Sequence, residues 1–452
     1  MERIQLSDHF TYRKLFAFTI GPICTMIFTS LYTIVDGFFV SNYVGSTAFA
    51  ALNLTMPFIM MIAAVGFMFG SGGSALVSMY LGTGNRKKAN SSFSIIVYSM
   101  IAIGVVLAAL GALFAIQISE ILGAGKLMLP YCVIYIRINM IGIVFYMLQN
   151  LFQTFFITAE HPRMGFVVTL IAGGTNMILD WLLVGILNLG IAGAAWATIT
   201  SQMLGGGIPL LFFTLSKKSP LKLGRAKLDM KVISKACGNG VSEFLSNVSA
   251  SIVGFLYNLQ LLHYAGQNGV AAYGVIMYVG FVFVAIYIGY SIGTALVVGF
   301  NYGAGNKKEL QNIFSKSIII LGTANVLMCL SAEILSNPLV RLFVGYDKEL
   351  YELTANGMKI YSVAFLMMGY NIYASAFFTA LNNGVVSAVL SVSRTLVLQI
   401  IMIYLLPALF GINGLWTVVI AVEGIGLLIA IYFIMKNRKR YGYMKAKNNE
   451  LG

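Results

Sequence analysis

Five charged side chains lie where the sequence is otherwise apolar: Asp36, Asp180, Glu243, Arg394 and Glu423. A carboxylate in a bilayer interior costs about 2.5–3.5 kcal/mol on insertion scales, so by default it marks function. Helix rise gives their depth: Asp36 falls about 30 Å along the first apolar run and Asp180 roughly 24 Å along the fifth. Asn176 precedes Asp180 by four residues and shares its helix face. Thr198 lies about 12 Å in from the start of the sixth run, at comparable depth. Two carboxylates, an amide and a hydroxyl in one layer are oxygen ligands that suit a hard cation such as Na⁺. The same carboxylates, close together, favour holding a proton between them, so a proton carrier is an equal reading. The plainer alternative is that each group bonds a neighbouring helix, and Thr198 its own backbone.

The remaining charges sit differently. Glu243 is only a few residues into the seventh run. Arg394 and Glu423 fall near mid-depth on neighbouring runs and are expected to neutralise each other, with a polar lining for a substrate path as the other reading. Gln149 and Gln153, one turn apart in the fourth run beside Asn150, are expected to face the interior. With Tyr32, Glu243 and Arg394 they are the candidates to line a substrate cavity. No catalytic residue is indicated. The 31 Phe, 24 Tyr and 23 Met mostly face lipid or pack between helices, a minority providing an adaptable apolar wall.

The elements that must position these residues are long apolar runs. The chain is 59% hydrophobic and only 10% charged, with mean hydropathy +0.85. A soluble domain carries about 25% charged residues. Runs of roughly 20 apolar residues cross a bilayer. Twelve are present, near 15–40, 49–80, 93–116, 131–157, 164–186, 190–214, 236–260, 271–300, 313–335, 357–380, 384–409 and 412–435. The second and eighth are overlong, so tilt or a bend is expected near Gly66–Gly73 and Gly289–Gly293. Arg13-Lys14 precede a first run too long for a signal-peptide core, so it reads as a retained span after a short amphipathic stretch.

The sequence also repeats itself. Gly82-Thr83-Gly84-Asn85 returns 221 residues later as Gly303-Ala304-Gly305-Asn306. At the same offset Phe156-Ile157-Thr158-Ala159 returns as Phe377-Phe378-Thr379-Ala380, Gly190-Ile191-Ala192-Gly193 as Gly411-Ile412-Asn413-Gly414, and Gly45 with Ala50-Ala51 as Gly266 with Ala271-Ala272. Six spans per copy is an even number, so both copies enter from one side and the repeat is parallel. The expected fold class is an all-α integral membrane protein of twelve transmembrane helices in two six-helix lobes. The N-lobe is 1–215, a polar, basic linker 216–235, and the C-lobe with its basic tail 236–452. A duplicated bundle places a binding site between its halves, the architecture of a secondary transporter. The repeat positions of Asp36 and Asp180 are Tyr257 and Ile401, so the ion chemistry is confined to the N-lobe.

A net charge of +14 invites a nucleic-acid partner, but its placement argues against one. Of the 29 basic residues, all but Lys126, Arg137, Arg341, Lys348, Lys359 and the intramembrane Arg394 lie on one set of alternate connections and the two tails. The positive-inside rule then puts both termini in the cytoplasm. Cys24, Cys132, Cys237 and Cys329 stand apart, as do His9, His161 and His263, so neither a disulfide framework nor a His/Cys metal site is indicated.

These residues resemble the multidrug and toxic compound extrusion (MATE) family, in its bacterial DinF- and MepA-like branch, over nearly the whole chain. The likeness rests on Leu31-Tyr32-Thr33-Ile34-Val35-Asp36-Gly37-Phe38-Phe39-Val40 with Gly45, on Gly82-Thr83-Gly84-Asn85, and on Asn176-Met177-Ile178-Leu179-Asp180, together with the spans and the repeat. The resemblance implies two lobes in a V around a cavity that opens alternately to each side. It implies export of cationic, amphipathic compounds by a multi-pass protein of the bacterial plasma membrane, against H⁺ or Na⁺ and without a cofactor. It implies an N-lobe ion site at Asp36, Asn176, Asp180 and Thr198, which would be the metal ligands under Na⁺ coupling. A second branch places a glutamate on span 7, matched by Glu243, and an aspartate on span 10, where this chain has Asn371. That departure favours coupling through the N-lobe. The expected partners are organic cations and membrane lipid, with the chain a monomer. Two other functions fit less well. A lipid-linked saccharide flippase of the same superfamily calls for more cavity cations than Arg394 alone. An intramembrane aspartyl protease calls for a Gly-x-Gly-Asp motif that is absent and leaves the duplication unexplained.

Overall fold

The computed structural model describes residues 5–44, 46–216, 219–344 and 348–444. Some side chains within these ranges lie outside the description, including all of 31–42 and hence Tyr32 and Asp36. Among the described residues there is no strand. The helices are α1 (Tyr12–Tyr43), α2 (Ser46–Gly82), α3 (Arg86–Leu113), the short α4 (Ala115–Ile121), α5 (Leu129–Thr158), α6 (Pro162–Leu179), α7 (Gly190–Leu215), α8 (Met230–Gly303), α9 (Lys307–Val344), α10 (Lys348–Ser362), α11 (Phe365–Ala380), α12 (Gly384–Val392) and α13 (Leu398–Tyr441). Eight described helices are long and apolar enough to cross a membrane, or nine if α10 and α11 form one span bent by 52°. Two are double. α8 reverses at Gly266 (φ 58°) and α13 at Gly411 (φ 57°). With α1 and both limbs of α8 and α13, the chain makes twelve traverses.

The repeat is visible as local chemistry. Gly84 and Gly305 hold φ of 76° and 68°, a left-handed conformation that glycine adopts without steric cost. The asparagines that follow start the next helices: Asn85 Oδ1 accepts the Lys88 amide at 3.0 Å and Asn306 Oδ1 the Glu309 amide at 3.1 Å. Such caps satisfy amides that a helix start leaves without partners. Aromatic packing repeats too. Phe93 meets Phe155 and Phe213 in one half. Its counterpart Phe314 meets Phe377 and Tyr443 in the other.

Two separate buried cores result. One draws on α2, α3, α5, α6 and α7 between Ala48 and Ala236. The other draws on residues from Val253 to Tyr443, and also on Leu6, Phe10, Leu15, Phe18 and Ile23 from the start of the chain. Leu113, Ile178, Leu409, Phe410 and Leu428 are more than 60% exposed, a surface suited to lipid tails rather than water.

The two overlong helices run on through their glycine clusters. Neither is broken at Gly66–Gly73 or Gly289–Gly293. These glycines instead bring backbones together: Gly72 lies on Ala236 and Gly240, Gly289 on Pro22 and Ile23, and Gly293 on Thr19. Farther along, Gly82 meets Phe300 and Gly303 meets Met79. These contacts lie toward the basic connections, where α2 and α8 run side by side. The tenth traverse also differs: it begins earlier, with α10, and bends before Phe365. The described residues before α1, 5–11, are not helical.

Candidate cation site in the N-terminal half

α6 does not end where its regular hydrogen bonding ends. From Asp180 to Ile186 it widens into a π-helical turn. Such turns insert one extra residue and are frequent at functional sites. Asp180, the first residue of the turn, is fully buried, and Asn176 one turn earlier is 2% exposed. The chain then turns sharply at Gly190 (φ 61°) and returns as α7, whose Gly193 lies against the Leu183 carbonyl of the widened turn. That close packing brings Thr198 level with Asn176.

Both line one cavity of about 50 Å³ between α2, α5, α6 and α7, together with Tyr135, Asn139, Ser201 and Gln202. The space suffices for water or a small ion. Asn176 Oδ1, Thr198 Oγ1 and Gln202 Oε1 are buried without a hydrogen-bond partner among the described residues. Thr198 Oγ1 makes no bond to its own helix backbone. Its neighbours Thr200 and Ser201 bond backbone carbonyls of their own helix at 2.8 Å, and Thr198 does not. Leaving a buried polar atom unsatisfied costs about 1–3 kcal/mol. Three oxygens aimed into one small space are what a cation or hydronium would satisfy.

The cavity thus unites Asn176 and Thr198, with Asp180 on the next turn of the same helix. Asp36 and Tyr32 belong to the side chains outside the description. Tyr135, Asn139, Ser201 and Gln202 were missed from sequence, although their spacing could have shown them: Tyr135 and Asn139 are one turn apart, and Thr198, Ser201 and Gln202 follow an i, i+3, i+4 pattern. Gln149 and Gln153 separate. Gln149 lies over Gly205 within the N-terminal half. Gln153 faces a crevice at the seam between halves, beside Thr25, Pro162 and Ile292.

The other half is built differently. A second π turn, Ser393–Val397, interrupts the helix equivalent to α6 and carries Arg394. The expected ion pair is present: Arg394 Nη1 donates to Glu423 Oε1 at 2.8 Å. Asn371 Nδ2 donates to the other carboxylate oxygen at 2.6 Å and to the Glu423 carbonyl at 2.8 Å. Glu423 is only 2% exposed, so its charge is matched by a fixed guanidinium. Glu243 is half-buried on α8, and with all three groups ionised the cluster keeps one negative charge. Tyr257, the counterpart of Asp36, stacks on Tyr273 at 4.8 Å and fills that position with an aromatic pair.

A duplicated bundle of apolar helices with an oxygen-lined cavity in one half defines a membrane transporter. Two segments of the chain, 22–182 and 244–405, match the MatE family model, one in each copy of the repeat, and the chain belongs to that family. It is 24% identical over 437 residues, 96% of each chain, to "Multidrug export protein MepA" of Staphylococcus haemolyticus. It is 23% identical to the protein of that name in Staphylococcus aureus strain MRSA252, over 95% of this chain and 94% of that one. Among solved structures it is similar to "Outward-facing conformation of a multidrug resistance MATE family transporter of the MOP superfamily", with TM-score 0.90, 20% identity and 98% of each chain covered. It is also similar to "Reverse polarity of binding pocket suggests different function of a MOP superfamily transporter from Pyrococcus furiosus", with TM-score 0.88, 21% identity and 99% of each chain covered.

Proposed function

We propose that this protein is a secondary active multidrug exporter, moving cationic amphipathic compounds by alternating access in antiport with H⁺ or Na⁺. The observation that carries the coupling is the cavity of Asn176, Thr198 and Gln202, whose buried oxygens lack partners beside the fully buried Asp180. Asp36, Asn176, Asp180 and Thr198 form the ion site in this reading. Glu243, the carboxylate left over once Arg394 and Glu423 pair, attracts the cationic end of the drug. The basic end faces the cytoplasm of a bacterium, with both termini there, and the protein acts as a monomer in its plasma membrane. The pairing of Arg394 also weighs against a flippase for lipid-linked pyrophosphates, since a neutralised guanidinium leaves little to meet the phosphates. Homology favours transport over the protease reading.

The test is dye export from proteoliposomes under an imposed pH or Na⁺ gradient. Wild-type protein is expected to move a fluorescent cationic dye only with an opposing gradient, and Asp36→Asn and Asp180→Asn each to abolish coupled movement while folding normally. Full gradient-driven export by both variants overturns the assignment.

A further inference from the structure

The segment ahead of α1 belongs by chain order to the first half and by packing to the second. Leu6 and Phe10 are 1% and 0% exposed and join the core of the second half. Their backbone is held by one face of α9. Glu309 Oε1 accepts the Phe10 amide at 2.9 Å, and Glu309 Oε2 lies 2.7 Å from His9 Nδ1. Asn312 Nδ2 and Lys316 Nζ both donate to the Phe10 carbonyl, at 3.0 and 2.7 Å. The Lys316 ammonium also sits 5.3 Å from the Tyr12 ring centre.

A different half holds the start of the segment. The Leu6 amide donates to Glu160 Oε1 at 3.0 Å, and Glu160 occupies the turn between α5 and α6 with φ of 60°. The Leu6 carbonyl accepts from Asn301 Nδ2 of α8 at 3.4 Å. One short segment therefore ties the two halves together at the basic end, beside the glycine contacts of α2 with α8. In the first half the equivalent helix α3 holds the linker instead: Asn90 Oδ1 accepts the Lys222 amide at 2.9 Å and Ser94 Oγ the Gly224 amide at 3.1 Å, but this contact stays within one half. At the repeat offset, Glu309, Asn312 and Lys316 correspond to Lys88, Ser91 and Ile95 of α3, so the anion that anchors the segment is replaced by a cation.

We propose that residues 5–11 are a latch that must leave Glu309 for the basic end to open, so that the Glu309–Asn312–Lys316 face sets how readily the inward-facing state forms. The proposal rests on the alternating-access reading above. A buried backbone amide and carbonyl cannot lose their partners without cost. When the halves part, α1 and Glu160 move with the first half and Glu309 with the second; the segment is tied to the first at both ends, through Leu6 and through α1, so the Phe10 bonds are the ones that break. The seated latch stabilises the state closed at the basic end, and loading of drug from that side requires its release.

The experiment uses the full chain with its four cysteines replaced, reconstituted in liposomes. A cysteine at Thr25, in the crevice between the halves, reports opening by its labelling rate from the basic side, without drug or gradient. Glu309→Gln is expected to raise that rate about tenfold or more, as losing a set of charge-assisted hydrogen bonds shifts a two-state balance. Lys316→Met, which frees the same carbonyl and leaves Glu309 intact, moves it the same way and covers the case that the first variant folds poorly. In a second arm, His9→Cys with Glu309→Cys is joined by a short cross-linker that reductant cleaves. Joined protein is expected to label Thr25→Cys slowly and to lose dye transport, and reduction restores both. Unchanged labelling in Glu309→Gln and Lys316→Met, or free transport while joined, overturns the latch. Failure of wild-type protein to move any dye defeats the export reading instead, and leaves the labelling result standing.

Discussion

Thr198 has a hydroxyl with nothing among the described residues to bond, so its removal should cost the fold little. Thr198→Ala is expected to leave the melting temperature within about 2–4 °C of wild type, the shift of roughly 1 kcal/mol in a protein of moderate size. Ion-coupled transport should fall, and Thr198→Ser should retain it. A large melting shift in the alanine variant would mean that the hydroxyl has a protein partner. Arg394 predicts the opposite pattern. Arg394→Met leaves Glu423 buried without its counter-charge, and breaking such a pair costs about 3–5 kcal/mol. Adding Glu423→Gln should recover most of the loss, since the remaining bonds to Asn371 do not need the charge; a thermal melt of the single and double variants measures this. Position along the runs made these groups legible in the sequence, because a charge at mid-depth needs a partner at the same depth. Tyr135 and Asn139 have the right spacing, but their residue types also sit in ordinary helix packing, so spacing alone did not single them out. Gln149 and Gln153 share a helix face by spacing, yet that face straddles two neighbours, and only the packing separates them.

At the scale of elements, glycine has two opposite uses here. At Gly84, Gly305, Gly190 and Gly411 it permits a turn. At Gly72, Gly240, Gly289 and Gly293 it permits contact between helices. The overlong runs suggested bends at the second kind of position, since sequence shows a glycine cluster but not the helix lying across it. The π turns were invisible for a related reason: an extra residue per turn changes no residue type. The spans themselves were legible because bilayer thickness sets a minimum apolar length, a constraint independent of tertiary packing. The contact reading makes a direct prediction. A side chain at Gly240 meets the Met68 carbonyl and the Gly72 amide, so Gly240→Val should wedge α2 from α8 and raise labelling of Thr25→Cys from the basic side. Gly174 supplies the control, having no atom within 4 Å of an added Cβ. Gly174→Ala should stabilise α6 by about 1 kcal/mol and leave that labelling unchanged. Equal labelling in both variants would contradict the close-packed seam.

For the whole molecule, duplication provides the frame and departures from it provide the direction of work. The second copy has Tyr257 and Ile401 where the first has Asp36 and Asp180, and its buried carboxylate Glu423 is paired with Arg394. The first copy places partnerless oxygens beside its buried aspartate. A transporter so divided can move drug against an ion only if ion binding in one half changes the relative stability of the two facing states. Coupling of that kind is reciprocal: the factor by which the ion weakens drug binding equals the factor by which drug weakens ion binding. Equilibrium dye affinity measured across pH and Na⁺ concentration is therefore expected to fall as the coupling ion is raised, and Asp180→Asn is expected to flatten that dependence. Glu243→Gln, by contrast, should weaken dye binding at every ion concentration and keep its slope, because in the proposed function that carboxylate attracts the drug and takes no part in the ion site. If the wild-type affinity is flat in both titrations, the N-terminal carboxylates are not the coupling site. If Glu243→Gln is the variant that loses the slope, coupling runs through the second half, against the fixed pairing of Arg394 with Glu423.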